Sequence, residues 1–148
     1  MSEFPVQASS PDWISLEHQL QHLLPDLIQL RRHIHRHPEL SGHERQTAAL
    51  VAGELRRLGW DVREAVGRTG VVAELGPEGA PVVALRVDMD ALPIEERTSL
   101  PWASVHQGLM HACGHDIHTT VGLGVAALLA ARGAVSYTHL TLPTKRIV

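Results

Sequence analysis

Residues 82–87 read VVALRV and are followed at once by Asp88 and Asp90. A short, nearly continuous apolar run predicts a strand covered on both faces, the kind found in α/β sheets. Two strand candidates precede it, Trp60 to Ala65 and Val71 to Leu75. The turn Gly76-Pro77-Glu78-Gly79 predicts that the second and third strands form a hairpin. Helical patterns lie on either side, so the order of elements predicts an α/β layer structure.

Upstream, Leu16, Leu20, Leu23, Leu24, Leu27, Leu30 and Ile34 recur at helical spacing from Trp13 onward. Pro25 lies within that run, where it either kinks one long helix or opens a second, and Pro38 sets the stop. Ser41 and Glu44 have the spacing of a capping box for a second helix, and Gly59 ends it. Its apolar face would hold Ala48, Val51, Leu55 and Leu58, with Arg45, Glu54, Arg56 and Arg57 toward water. Downstream, residues 91–114 show little periodicity and contain Pro93 and Pro101, which predicts a long loop of functional use. A buried helix follows from about Ile117 to Arg132. The Gly122, Gly124 and Ala127 spacing imitates a dinucleotide fingerprint, but it falls inside that helix and lacks the strand and turn the motif needs. Close packing accounts for the small residues.

The 148 residues are 44% hydrophobic and 20% charged, enough for one domain with its own core. A net charge of -3 argues against a nucleic-acid binder, which needs a basic stripe. The longest apolar stretch, Val121 to Ala131, is far below the about 20 residues that span a bilayer. No export signal is visible at the start, and one cysteine forms no internal disulfide; a cytoplasmic location is expected.

Eleven histidines stand out, and they cluster. His33, His35, His37 and His43 form one group; His106, His111, His115 and His118 form another around the lone Cys113. In an extended segment residues two apart point the same way, so Cys113 and His115 can reach one ion together. Asp88 and Asp90 stand at a strand's carboxyl end, where α/β sites collect. Asp116 or Thr119 would cap the helix, and His118 is a ligand, a substrate contact or a surface side chain. His33 and His37 are one turn apart and read as an exposed helix end. A lone cysteine is most often an inert buried thiol, but the histidine two positions on and the acids at the strand end upstream put the metal reading ahead.

Taken together, RRHIHRHPELSGHE (31–44), LRVDMDALPIEE (85–96) and GLMHACGHDIHTT (108–120) resemble the M20 metallopeptidase family. Within it they resemble the branch of amidohydrolases acting on hippurate and other N-acyl or auxin–amino acid conjugates. The resemblance implies a partial three-layer α/β/α di-metal hydrolase domain with a mixed sheet, truncated. It implies two divalent ions (Zn, Mn, Ni or Co), with Cys113 and His115 as ligands and Cys113 bridging. Asp90 matches the acid that orients a ligand from behind; Asp88 stands where other branches carry a ligand histidine, and its role stays open. The implied reaction is amide hydrolysis by a metal-acidified water that a glutamate deprotonates. That glutamate belongs to a Glu-Glu pair downstream of the CGHD motif, and no glutamate follows Glu96 here. The implied partners are a small N-acyl amino acid and, for the longer protein, a second copy in a homodimer.

The expected organisation is a loose tail over 1–12, the family segment over 13–134, and a non-family tail over 135–148. The Thr-rich SYTHLTLPTKRIV ending resembles translated adaptor sequence more than a genuine strand. The chain alone is expected to be inactive. Two other readings compete: a noncatalytic metal-binding module, and Cys113 as a nucleophile with a histidine base.

Overall fold

The computed structural model describes residues 10–79, 82–132 and 137–142. In chain order it contains α1 (Ser10–Arg36), α2 (Arg45–Arg57), β1 (Asp61–Val66), β2 (Gly70–Leu75), β3 (Val82–Arg86), α3 (His115–Ala131) and β4 (Tyr137–Leu142). The protein is thus α/β, with three helices and one small mixed sheet among the described residues. Helix α1 takes in residues 10–12, which the sequence assigns to a tail; residues 1–9 lie outside the described part. It runs unbroken past Pro25, an exposed position.

The expected hairpin of the second and third strands does not form. The sheet order is β1-β2-β4-β3, so β2 and β3 lie one strand apart. Strand β4 fills the gap, antiparallel to β2 with Val72 opposite Thr141, and parallel to β3 with Val83 opposite Thr138. The hairpin that does form joins β1 to β2 around Gly67 and Arg68, whose φ values of 62° and 115° turn the chain back. Strand β4 comes from the stretch set apart in the sequence as a tail. Residues 133–136 and 143–148 lie outside the described part.

A second correction concerns β3. Its apolar run predicts cover on both faces, yet Val82 and Val83 are 55% and 68% exposed. Composition states what a strand can bury; whether a partner layer is present is a tertiary matter. Strand β3 is at the sheet edge, and Leu85 is its residue that packs against the core.

The core lies where α2 and α3 meet β2. Ala48, Val51, Ala52 and Leu55 of α2 pack with Val71 and Ala73 of β2 and with Leu123 and Ala126 of α3. Trp60 completes it, donating its Nε1 hydrogen to the Ala126 carbonyl at 3.3 Å. Val87 and Met89, just beyond β3, are buried in the same cluster.

Helix α2 is not started by the expected capping box. Glu44 is the residue preceding the helix, but its side chain makes no cap bond; it is fully buried and accepts from Thr69 Oγ1 at 2.6 Å. The free N–H groups of Gln46 and Thr47 are instead taken by the Glu39 carboxylate, at 3.1 and 2.8 Å. A carboxylate there satisfies orphan donors and complements the helix dipole together. The far end follows expectation: with Gly59 at φ 87°, the Trp60 N–H reaches the Leu55 carbonyl and the Gly59 N–H reaches Arg56, a Schellman stop.

Candidate metal centre

Past β3 the chain stays extended, and burial alternates. Val87 and Met89 point into the core, which leaves Asp88 and Asp90 half-exposed on the other side. The acids at this strand end are therefore displayed because their apolar neighbours are anchored. Asp88 pairs with Arg86, Oδ1 to Nη2 at 2.8 Å. Asp90 instead faces the start of α3.

The loop over 91–114 is irregular but held in place. Ala91 N donates to Glu39 O at 2.8 Å, and Leu92 and Met110 exchange backbone bonds. Val105 N donates to Arg36 O at 3.0 Å. Glu95 and Glu96, the only adjacent glutamates, fix the loop from within: Glu95 accepts from Gly108 N and Glu96 from Ser104 N, each at 2.6 Å. Burial pushes the Glu96 carboxyl up, but the Ser104 N–H, the Thr98 hydroxyl and His35 outweigh it and hold it below the ordinary range.

Cys113 lies in the turn that ends this loop and is exposed, which removes the inert buried thiol as a reading. Gly114 follows at φ 84°, a left-handed conformation that lets the chain reverse into α3 within one residue. A Cβ there would meet nothing within 4 Å, so backbone conformation and not space demands the glycine. His115 opens α3, and its Nδ1 lies 2.9 Å from Asp90 Oδ1 and 3.0 Å from Asp90 O. The Cys113 thiol is 3.8 Å from that same carbonyl. Asp90 thus touches both Cys113 and His115.

This geometry suits a metal on chemical grounds. With Nδ1–H donating to Asp90, the His115 ring presents its Nε2 lone pair outward, the arrangement that metal-bound histidines commonly share. Thiolate and imidazole are the usual donors for zinc-like cations. Among the described residues no group of three or more His, Cys, Asp or Glu side chains is placed to hold an ion. Cys113 and His115 would supply two donors of a larger set.

His118 is turned elsewhere. Its Nδ1 accepts from the Asp88 N–H at 3.1 Å, so the remaining proton of a neutral ring sits on Nε2 and no lone pair is free. The two expected caps of α3 are also otherwise engaged: Thr119 Oγ1 donates to Asp88 O at 3.0 Å, and Asp116 turns into the protein. Gly114, without a side chain, holds the capping position.

Asp116 belongs to a buried polar cluster that the sequence does not advertise. Its Oδ2 lies 2.7 Å from His35 Nδ1 and 2.7 Å from Arg31 Nε. The Arg31 N–H is not aimed at it, so that second contact is coulombic. The other His35 nitrogen faces Glu96 Oε1 at 3.3 Å. His111 lies beside them, its ring centroid 6.4 Å from that of His35, with both nitrogens buried and unpartnered. Burial, only partly offset by Asp116, lowers its pKa to about 4. A signal for His35 did exist: Leu23, Leu27, Arg31 and His35 follow each other every four residues along the face of α1 that ends in buried Ile34 and Pro38. Of the pair expected at an exposed helix end, His33 is exposed and His37 half-buried, their rings 4.6 Å apart.

Comparison with known proteins finds relatives of this chain. Residues 84–140 match the sequence model of peptidase family M20/M25/M40. A Synechocystis sp. protein named "Probable hydrolase sll0100" is 58% identical over 122 residues, 81% of this chain and 31% of that protein. N-acetyl-L-cysteine deacetylase of Bacillus subtilis is 46% identical over 132 residues, 85% of this chain and 32% of that one. The Bacillus subtilis YXEP protein, described as a dinuclear metal binding peptidase, superposes with a TM-score of 0.76 at 41% identity, covering 82% of this chain and 35% of its own. The chain spans about a third of the length of these relatives. The family match contains Asp88, Asp90, Cys113 and His115, and the chain belongs to the M20 family of metallopeptidases and amidohydrolases.

Proposed function

We propose that this chain forms part of the catalytic unit of a metal-dependent amidohydrolase that releases amino acids from small N-acyl conjugates of the hippurate type. The observation that carries the reading is the Asp90–His115 pair, closed at 2.9 Å beside the exposed Cys113 thiol. Cys113 and His115 would hold a divalent ion such as Zn, Mn, Ni or Co, and when bound it supplies Lewis-acid polarisation of an amide carbonyl and an acidic water. Asp90 fixes the His115 tautomer and raises the basicity of its outward nitrogen. The relative named as an N-acetyl-L-cysteine deacetylase supports an N-acyl amino acid as substrate class. The same reading has the longer protein fold as a three-layer α/β/α unit, dimerise, and work in the cytoplasm.

The glutamate that would act as base has no candidate among these residues. Glu95 and Glu96 are committed to the backbone of their own loop, and no glutamate follows them. The 148-residue chain is therefore expected to bind metal without turnover. Hippurate and N-acetylcysteine hydrolysis is measured for this chain and for the product of the longer reading frame, each loaded with Zn or Mn. Turnover by the longer protein that Cys113→Ala with His115→Ala abolishes supports the proposal. Hydrolysis by the 148-mer, or an active longer protein indifferent to that double change, overturns it. Metal binding without activity in the longer protein would instead favour a binding module.

A further inference from the structure

Three segments distant in sequence meet at one imidazole. His35, on α1, is 4% exposed and directs one ring nitrogen at Asp116 and the other at Glu96. Asp116 is fully buried, stands next to His115 in the first turn of α3, and carries the charge of Arg31 at 2.7 Å on the same oxygen. Glu96 in turn holds Ser104 N within the loop that delivers Cys113. Cys113 and His115 are neighbours in sequence, and the first turn of α3 and the loop behind them each set a carboxylate against His35, whose Nδ1 also lies 3.2 Å from Arg31 Nη2. Asp90 touches the two donors directly; His35 lies behind them.

We propose that His35 is a positioning residue for the Cys113 and His115 pair, holding the helix carrying one and the loop carrying the other at a common point on α1. The inference rests on the reading of Cys113 and His115 as metal ligands. Metal sites lose affinity when their supporting groups are allowed to drift, because an ion tolerates little displacement of its donors. A single buried ring with a carboxylate at each end removes that drift for both elements together. Substitution of His35 should therefore weaken metal capture by the thiol without any loss of a ligand.

The test is a Co2+ titration of the 148-residue chain, read through the thiolate-to-cobalt charge-transfer band and through protection of Cys113 from alkylation. His35→Ala should weaken the affinity by about tenfold or more, and His35→Gln, which reaches only one carboxylate, should fall between it and the wild type. Val51→Ala, in the core under α2, serves as a matched destabilised control and should stay within about twofold of the wild type, since distant sites act independently. Thermal unfolding of each variant sets a temperature at which all are folded. If His35→Ala does not fold, Glu96→Gln reports the loop half of the connection by the same weakened band. Wild-type affinity in His35→Ala, or in Glu96→Gln where that stands in for it, overturns the proposal, as does an equal loss in Val51→Ala. Absence of the band in the wild-type chain overturns the metal-centre reading itself, and this inference with it.

Discussion

Asp90 Oδ1 stands 2.9 Å from His115 Nδ1, while Asp88, two residues earlier on the same extended segment, pairs with Arg86. The two acids look alike in sequence and differ in what they face. Asp90→Ala should weaken divalent-metal affinity by about 10- to 100-fold by freeing the ring of His115. Asp88→Ala should leave that affinity near the wild-type value. Titration of both variants with Zn2+ against a chromophoric competitor checks the pair, and equal effects would contradict the division of roles.

Gly122 and Gly124 invite opposite outcomes. A Cβ at Gly122 would come within 3.0 Å of both γ-carbons of Val87, a buried side chain branched at Cβ with no room to turn. At Gly124 it would meet only Leu27 Cδ1 at 3.0 Å, the far end of a flexible side chain on α1. Gly122→Ala should cost about 1–3 kcal/mol by overpacking, set against a gain of about 1 kcal/mol in helix propensity. Gly124→Ala should be near neutral or stabilising. Denaturant melts of the two single variants distinguish them.

His111 makes stability depend on pH. Its folded pKa of about 4 lies below the ordinary 6.5, so the folded protein keeps the ring neutral where the unfolded chain takes up a proton. Stability is then full above about pH 6.5 and is lost as the pH falls toward 4, by on the order of 3 kcal/mol. In metal-free protein, His111→Leu should flatten the slope of unfolding free energy between pH 6.5 and 4. At pH 7 the same substitution should cost little, because it removes two buried nitrogens that have no partner.

The start of α2 depends on a residue outside it. Glu39→Ala should destabilise the protein by about 1 kcal/mol, the usual worth of a lost N-terminal cap. Thermal melts of Glu39→Ala against the wild type check the assignment.

Local chemistry was enough to find much of this protein. The apolar spacing of α2 with its Gly59 stop, the strands around Val71–Leu75 and Val82–Arg86, and the long loop before α3 are all written in periodicity and turn residues, which act over a few positions. The proximity of Cys113 and His115 is of the same kind, since it follows from adjacency. Distant pairings are not local, and those only the tertiary structure decided. Which strand lies beside β2, which carboxylate caps α2, and whether β3 is covered depend on segments that meet across the chain. His35 is the sharpest case: its spacing from Leu23, Leu27 and Arg31 marks its face of α1, but Asp116 and Glu96, which face its two nitrogens, stand 81 and 61 positions away. A polar side chain enters a core when its partners enter with it, and no single stretch of sequence contains both.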